Sequence, residues 1–225
     1  MKIFSKYGIV ARIFPTIIGL IPLFIFQYFY LRNLLNVNSV WAATIGNASF
    51  STILIYTFNQ YFVRIPSKIF EDWLFKKKLY FPTTNFLMYS DGEYSDELKN
   101  NIRQKIRDEF SLKLPNKSEE KRDEKSARKR INEANRLMIG KVQDGYLVLQ
   151  HNIEYGFVRN LWGASLVGSI GALLLISVSA HEGFLRIVGA ILAIAYCVYL
   201  AFGFLVIKYF GRAYACKLIE EYVGR

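Results

Sequence analysis

The sequence predicts an all-α polytopic membrane protein, with four transmembrane helices paired as two hairpins around a helical cytoplasmic insert. Three observations predict it. First, 29 basic and 18 acidic residues are spread so unevenly over 225 positions that windows 13–31, 33–63, 160–180 and 187–207 contain none. Each window is long enough to cross a hydrocarbon core needing roughly 20 apolar residues. With 52% apolar residues, that clustering excludes an ordinary soluble domain and a disordered chain. Second, 27 of the 29 Lys and Arg lie in the N-terminal stub, in segment 64–159 and in the tail, against only Arg32 and Arg186 in the two short loops. Cytoplasmic segments retain positive residues, so both termini and the central segment are expected in the cytoplasm. Third, aromatic residues sit at the window ends (Tyr28, Tyr30, Trp41, Tyr61, Trp162, Tyr209), as an interfacial belt requires.

The elements follow in order. Lys2, Lys6 and Arg12 precede the first span, about 13–31, and no small-residue cleavage site follows it, so a retained anchor is expected rather than a cleaved signal peptide. Pro15 and Pro22 lie inside this span, where proline is better tolerated than in a soluble helix. The second span, about 40–63, carries Thr44, Asn47 and Ser51 at steps of three and four, hence on one face, with Asn59 and Gln60 near its cytoplasmic end. A polar stripe is costly against lipid and turns towards a bundle interior or a watery cavity. Two readings stay open: Thr44, Asn47 and Ser51 line a pore, or they bond neighbouring helices. No window contains an ionisable Asp, Glu, Lys or Arg, which disfavours a proton-coupled pump or a voltage sensor. Four helices alone enclose little channel, so conduction would require an oligomer.

Segment 64–159 holds 20 basic and 15 acidic residues. Residues 65–78 read as an extension of the second helix ending in Trp73 and Lys76–Lys78, lysines suited to anionic headgroups. Pro82 breaks the pattern, and 82–89 reads as an ordered connector ending in a turn at Ser90, Asp91 and Gly92. Ser95, with Asp96 and Glu97 after it, predicts a helix start, and Leu98, Ile102, Ile106 and Phe110 form its apolar face. Ser118 with Glu119 and Glu120 predicts a second helix whose apolar set is Ala127, Ile131, Ala134 and Met138. That helix also carries the candidate ligand-binding residues Arg122, Lys125, Arg128, Lys129 and Arg136. Salt-bridge lacing of a solvated face explains them, and so does an anion site where helices from several subunits converge on a nucleotide or short oligonucleotide. Tyr80, Phe81, Tyr89 and Tyr94 are core residues or stacking surfaces.

His151, Glu154, Arg159 and Asn160 fall where the insert meets the third span, a location suited to gating or coupling. His151 and Glu154 are three apart, but two groups do not make a metal or acid/base site. In the second hairpin, Ala164, Gly168 and Ala172 recur every four residues on the third span, and Gly189, Ala193, Cys197 and Ala201 on the fourth. Such stripes permit close helix approach, within one chain or between subunits. Two cysteines make no disulfide framework. No phosphate loop, Cys/His cluster or nucleophile elbow occurs, so neither enzyme activity, nor a cofactor, nor a metal is expected.

The words Pro82-Thr83-Thr84 with Tyr89-Ser90-Asp91, and His151-Asn152-Ile153-Glu154-Tyr155-Gly156 with Arg159-Asn160, resemble those of small multi-spanning proteins encoded in bacterial anti-phage defence loci, of the type of the Hailong membrane component. The resemblance covers about residues 64–165. It implies a homo-oligomer, with a tetramer as one size to consider, that conducts ions across the bacterial inner membrane. It also implies a nucleotide-derived ligand on the cytoplasmic domain and a nucleotidyltransferase as partner protein. A non-conducting membrane scaffold that recruits a cytoplasmic partner, and third a small-solute transporter, are the competing expectations. Much of the +11 net charge follows from the topology rule alone, so only the cluster from Lys121 to Lys141 argues for a ligand.

Overall fold

A computed structural model describes residues 5–31, 40–179 and 182–225, with the side chains of 30–31 and 40–47 outside the description. The first short loop, His181 and the side chains of Thr44 and Asn47 therefore lie outside the described residues. Among the described residues every regular element is helical. Three helices are long and apolar enough to cross a membrane: α1 (Lys6–Phe29), α8 (Tyr146–Val178) and α9 (Gly183–Gly224). Between them come α2 (Val40–Thr57), which passes through a π-helical turn (Phe58–Val63) into α3 (Arg64–Leu74). Then follow α4 (Pro82–Leu87), α5 (Asp96–Phe110), α6 (Lys117–Arg122) and α7 (Glu124–Val142).

The chain divides into two compact units, Met1–Phe70 with Gly156–Ile207, and Glu71–Tyr155 with Lys208–Arg225. The tail thus joins the charged insert instead of standing alone, because α9 continues without a break from the fourth window to Gly224.

In the first unit α8 is the most buried of the three long apolar helices, and small residues put it there. A Cβ on Gly163 would stand 2.2 Å from Ser67 Oγ and 2.5 Å from the Val63 carbonyl oxygen. On α1, a Cβ at Gly19 would stand 2.6 Å from the Ala164 carbonyl oxygen. Close backbone approach of this kind is how helices associate where lipid supplies no hydrophobic drive. Leu20, Val63, Ala164 and Val167 form the buried cluster at this crossing. The predicted stripes are used within the chain: the Tyr196 ring fills the space over Gly168, Ile176 lies against Gly189, and Ser169 Oγ is 3.9 Å from Cys197 Sγ.

The prolines of α1 set up a second constraint. Proline has no N–H to give the carbonyl four residues earlier, so Pro15 and Pro22 deprive Ala11 and Ile18 of their usual helical donors. Both carbonyls are served from other helices. Asn160 Nδ2 donates to the Ala11 oxygen at 2.5 Å, and Tyr196 Oη donates to the Ile18 oxygen at 2.5 Å. Three further polar groups bond between or along these helices: Ser51 Oγ donates to Gln27 Oε1 at 3.3 Å, Thr16 Oγ1 to the Arg12 carbonyl at 2.9 Å, and Trp162 Nε1 to the Leu200 carbonyl at 2.9 Å.

In the second unit, Ser95 caps α5 as the sequence predicts, its Oγ accepting from Leu98 N at 3.2 Å. Ile102 and Ile106 are buried, while Leu98 and Phe110 are half-buried. Ala127, Ile131, Ala134 and Met138 are buried along α7, which packs on α4, α5 and α6. The expected start of the second helix needs correction. Asn116, not Ser118, is the cap, in a reciprocal capping box with Glu119. The helix also breaks at Asp123, whose non-helical backbone ends α6 while its carboxylate caps Ser126 N at 3.0 Å and opens α7. Asn and Asp compete for backbone donors better than Ser continues a helix.

Gly163→Ala is expected to cost about 1–3 kcal/mol, since the added methyl meets backbone that cannot move aside. Gly140→Ala, where an added Cβ meets nothing within 4 Å, is expected to stabilise α7 by up to about 1 kcal/mol. Thermal unfolding of the purified protein in detergent checks both.

Candidate ligand-binding face

The five cations proposed from sequence divide into four and one. Because α7 buries the face made by Ala127, Ile131, Ala134 and Met138, Lys125, Lys129 and Arg136 are left exposed, and Arg122 is exposed on α6. Among the described residues no ion pair or hydrogen bond engages these four side chains. Of the salt-bridge lacing that the sequence allows, Glu133 three before Arg136 forms no pair with it, whereas Glu124 and Arg128, four apart, pair at 2.6 Å.

Arg128 departs from the expected ligand set because it is buried and its Nε and Nη1 donors are engaged within the fold. Nε donates to Glu124 Oε1, while Nη1 donates to Asn85 Oδ1 at 2.7 Å and to the Leu79 carbonyl at 3.2 Å. Its guanidinium lies 4.1 Å from the centroid of the Tyr80 ring, a favourable cation–π placement. Asn135 Nδ2, one face over, donates to Thr83 Oγ1 and Thr84 Oγ1 at 3.3 and 3.2 Å. The Pro82-Thr83-Thr84-Asn85 word is therefore the clamp between α4 and α7.

The Tyr89-Ser90-Asp91 word belongs to a second buried network. The Arg103 guanidinium donates to the Pro115 carbonyl, to the Leu87 carbonyl at 2.5 Å and to Glu120 Oε1 at 2.6 Å. Glu120 Oε2 accepts from Tyr89 N at 2.9 Å, and the Tyr89 ring lies 4.1 Å from the Arg103 guanidinium carbon. Lys99, also buried, donates to the Asp91 carbonyl. One ion pair thus ties α5, α6 and the turn after α4. The pair was not legible in the sequence, since Arg103 and Glu120 sit in charged runs, and only the place of Arg103 beside Ile102 and of Glu120 four residues after the Asn116 cap carried any signal.

The boundary residues separate as well. His151 Nδ1 and Glu154 Oε2 are 3.0 Å apart on α8 without the alignment of a hydrogen bond. Among the described residues no group of three His, Cys, Asp or Glu gathers as a metal would need. Arg159 is half-buried, and Asn160 is buried on the Ala11 carbonyl. A neighbouring residue that the sequence reading passed over, Tyr155, donates from Oη to buried Glu71 Oε1 at 2.6 Å. Its ring belongs to an aromatic cluster with Phe75, Phe81 and Tyr214, centroids 4.9–6.4 Å apart. Phe81 is thus core, as is half-buried Tyr94, whose phenol is pushed up by burial and by nearby Cys216. Burial likewise raises the Cys216 thiol, keeping it protonated at neutral pH and a poor nucleophile.

No protein-family model, no curated protein and no solved structure matches this chain.

Removing one partner of a buried ion pair leaves an uncompensated charge. Glu120→Ala is therefore expected to destabilise the protein by about 3–5 kcal/mol, whereas Lys125→Ala on the open face should stay within about 0.5 kcal/mol. The two melting curves, taken side by side, check the division between scaffold and free cations.

Proposed function

We propose that this chain is a four-span, oligomeric ion-conducting effector of bacterial anti-phage defence in the inner membrane, gated by a nucleotide or short oligonucleotide on its cytoplasmic unit. The observation that carries the reading is the row of four exposed, unpaired cations, Arg122, Lys125, Lys129 and Arg136, on a unit whose other arginines at 103 and 128 are spent on its own interior. Cations that a fold does not use are available to phosphates. The second window, with helix Val40–Thr57, is the second of four spans in this reading, beside the three long apolar helices, and both termini lie in the cytoplasm by the distribution of Lys and Arg. The bond from Ser51 to Gln27 favours helix-bonding over pore-lining at that position, so the conduction path in this reading is formed between subunits. His151, Glu154 and Arg159, on the helix that continues into the third span, are the coupling residues.

A non-conducting scaffold is the second reading. Exposed Leu137, Tyr146 and Leu147 on the cytoplasmic unit favour it, since a partner protein would cover them.

Flux from proteoliposomes of the full chain separates the two. A channel is expected to change conductance on addition of a short oligonucleotide, and binding should fall with salt at a log–log slope of about −3 for four phosphate contacts on a single strand. The Arg122→Ala/Lys125→Ala/Lys129→Ala/Arg136→Ala variant should flatten that slope. Protein that stays non-conducting with and without oligonucleotide, across a range of salt, leaves the scaffold reading.

A further inference from the structure

We propose that the turn after α3, with Trp73, Lys76, Lys77 and Lys78, is a binding site for the headgroups of anionic lipid. The turn is conformationally unusual. Three consecutive residues, none of them glycine, have left-handed backbones, with φ of 45°, 56° and 70° at Lys76, Lys77 and Lys78. L-residues disfavour that region, and Gly or Asn is the ordinary choice for it.

The surrounding structure holds the turn closed. Lys77 N donates to the Asp72 carbonyl at 2.9 Å and Tyr80 N to the Phe75 carbonyl at 3.1 Å. On its inner side the Phe75 and Phe81 rings meet edge to face at 4.9 Å, both buried. With the aromatic clasp inside, the three lysines are all exposed, and the Lys76 ammonium lies 4.5 Å from the Tyr80 ring centroid. One turn earlier Trp73 is 73% exposed. An indole of that exposure beside three ammonium groups matches the headgroup layer of an anionic bilayer, which accepts the ring at its polar–apolar boundary and the charges at its phosphates. A soluble phosphate compound would meet the lysines and leave the indole in water, so the lipid is the occupant. The inference rests on membrane insertion alone and is independent of channel activity.

The full chain has three tryptophans, so the Trp73 signal is taken as the difference between the wild type and Trp73→Phe. Both are reconstituted in mixed phosphatidylcholine and phosphatidylglycerol vesicles, with bromine carried on one lipid or on the other. The expected result is quenching of Trp73 that favours brominated phosphatidylglycerol by at least about fivefold, the enrichment that one lysine near an anionic surface produces. The preference should disappear in Lys76→Gln/Lys77→Gln/Lys78→Gln. Equal quenching by the two lipids, a preference that survives the triple substitution, or one abolished by millimolar inorganic phosphate would each overturn the proposal.

Discussion

Two carbonyls on one helix constrain the membrane unit. Pro15 and Pro22 withhold the donors that Ala11 and Ile18 would receive in an unbroken helix, and in a bilayer interior an unserved carbonyl costs several kcal/mol because water is absent. Asn160 on α8 supplies one donor and Tyr196 on α9 the other. The second requires space, since Tyr196 reaches α1 across the surface of α8, and Gly168 is the residue there whose Cβ would stand 2.7 Å from its ring. Proline on α1, glycine on α8 and tyrosine on α9 are thus one device. It fixes which faces of three helices meet, in a setting where apolar side chains alone would distinguish poorly between protein and lipid.

The charged unit uses the same logic in a different solvent. Its two buried arginines, Arg103 and Arg128, each gather carbonyls, a carboxylate and an aromatic face, so short helices that would be marginal alone are tied to one another. Interior arginines suit this task because a planar fork of donors serves several acceptors at once. The exposed faces of α6 and α7 are left with Arg122, Lys125, Lys129 and Arg136, cations the fold does not spend.

Much of the helical framework was legible from charge and periodicity. The uncharged windows mark three long apolar helices, Ser95 caps its helix, and Ala127, Ile131, Ala134 and Met138 lie buried in register. Less legible were features that depend on which way a polar side chain turns. Arg128 shares a helix surface with Lys125 and Lys129, and only the approach of Asn85 and Tyr80 from elsewhere in the chain draws it inward. Glu71 and Tyr155 are 84 positions apart, and nothing local to either announces the pair. Asn116 and Asp123 could have been read as caps, but a more familiar Ser-Glu-Glu start lay between them. The Asn160 contact did carry a signal, since a proline always names the carbonyl it abandons, though the sequence does not say who answers.

The device on α1 is tested most directly by a double-mutant cycle on Pro22 and Tyr196. Tyr196→Phe removes the donor to the Ile18 carbonyl and keeps the ring over Gly168, whereas Pro22→Ala restores the helix's own N–H. The account predicts that Tyr196→Phe costs about 1 kcal/mol in the wild type and close to nothing in the Pro22→Ala background, measured by reversible unfolding in detergent. Equal losses in the two backgrounds would contradict it, because the tyrosine hydroxyl would then be serving something other than the carbonyl the proline leaves behind.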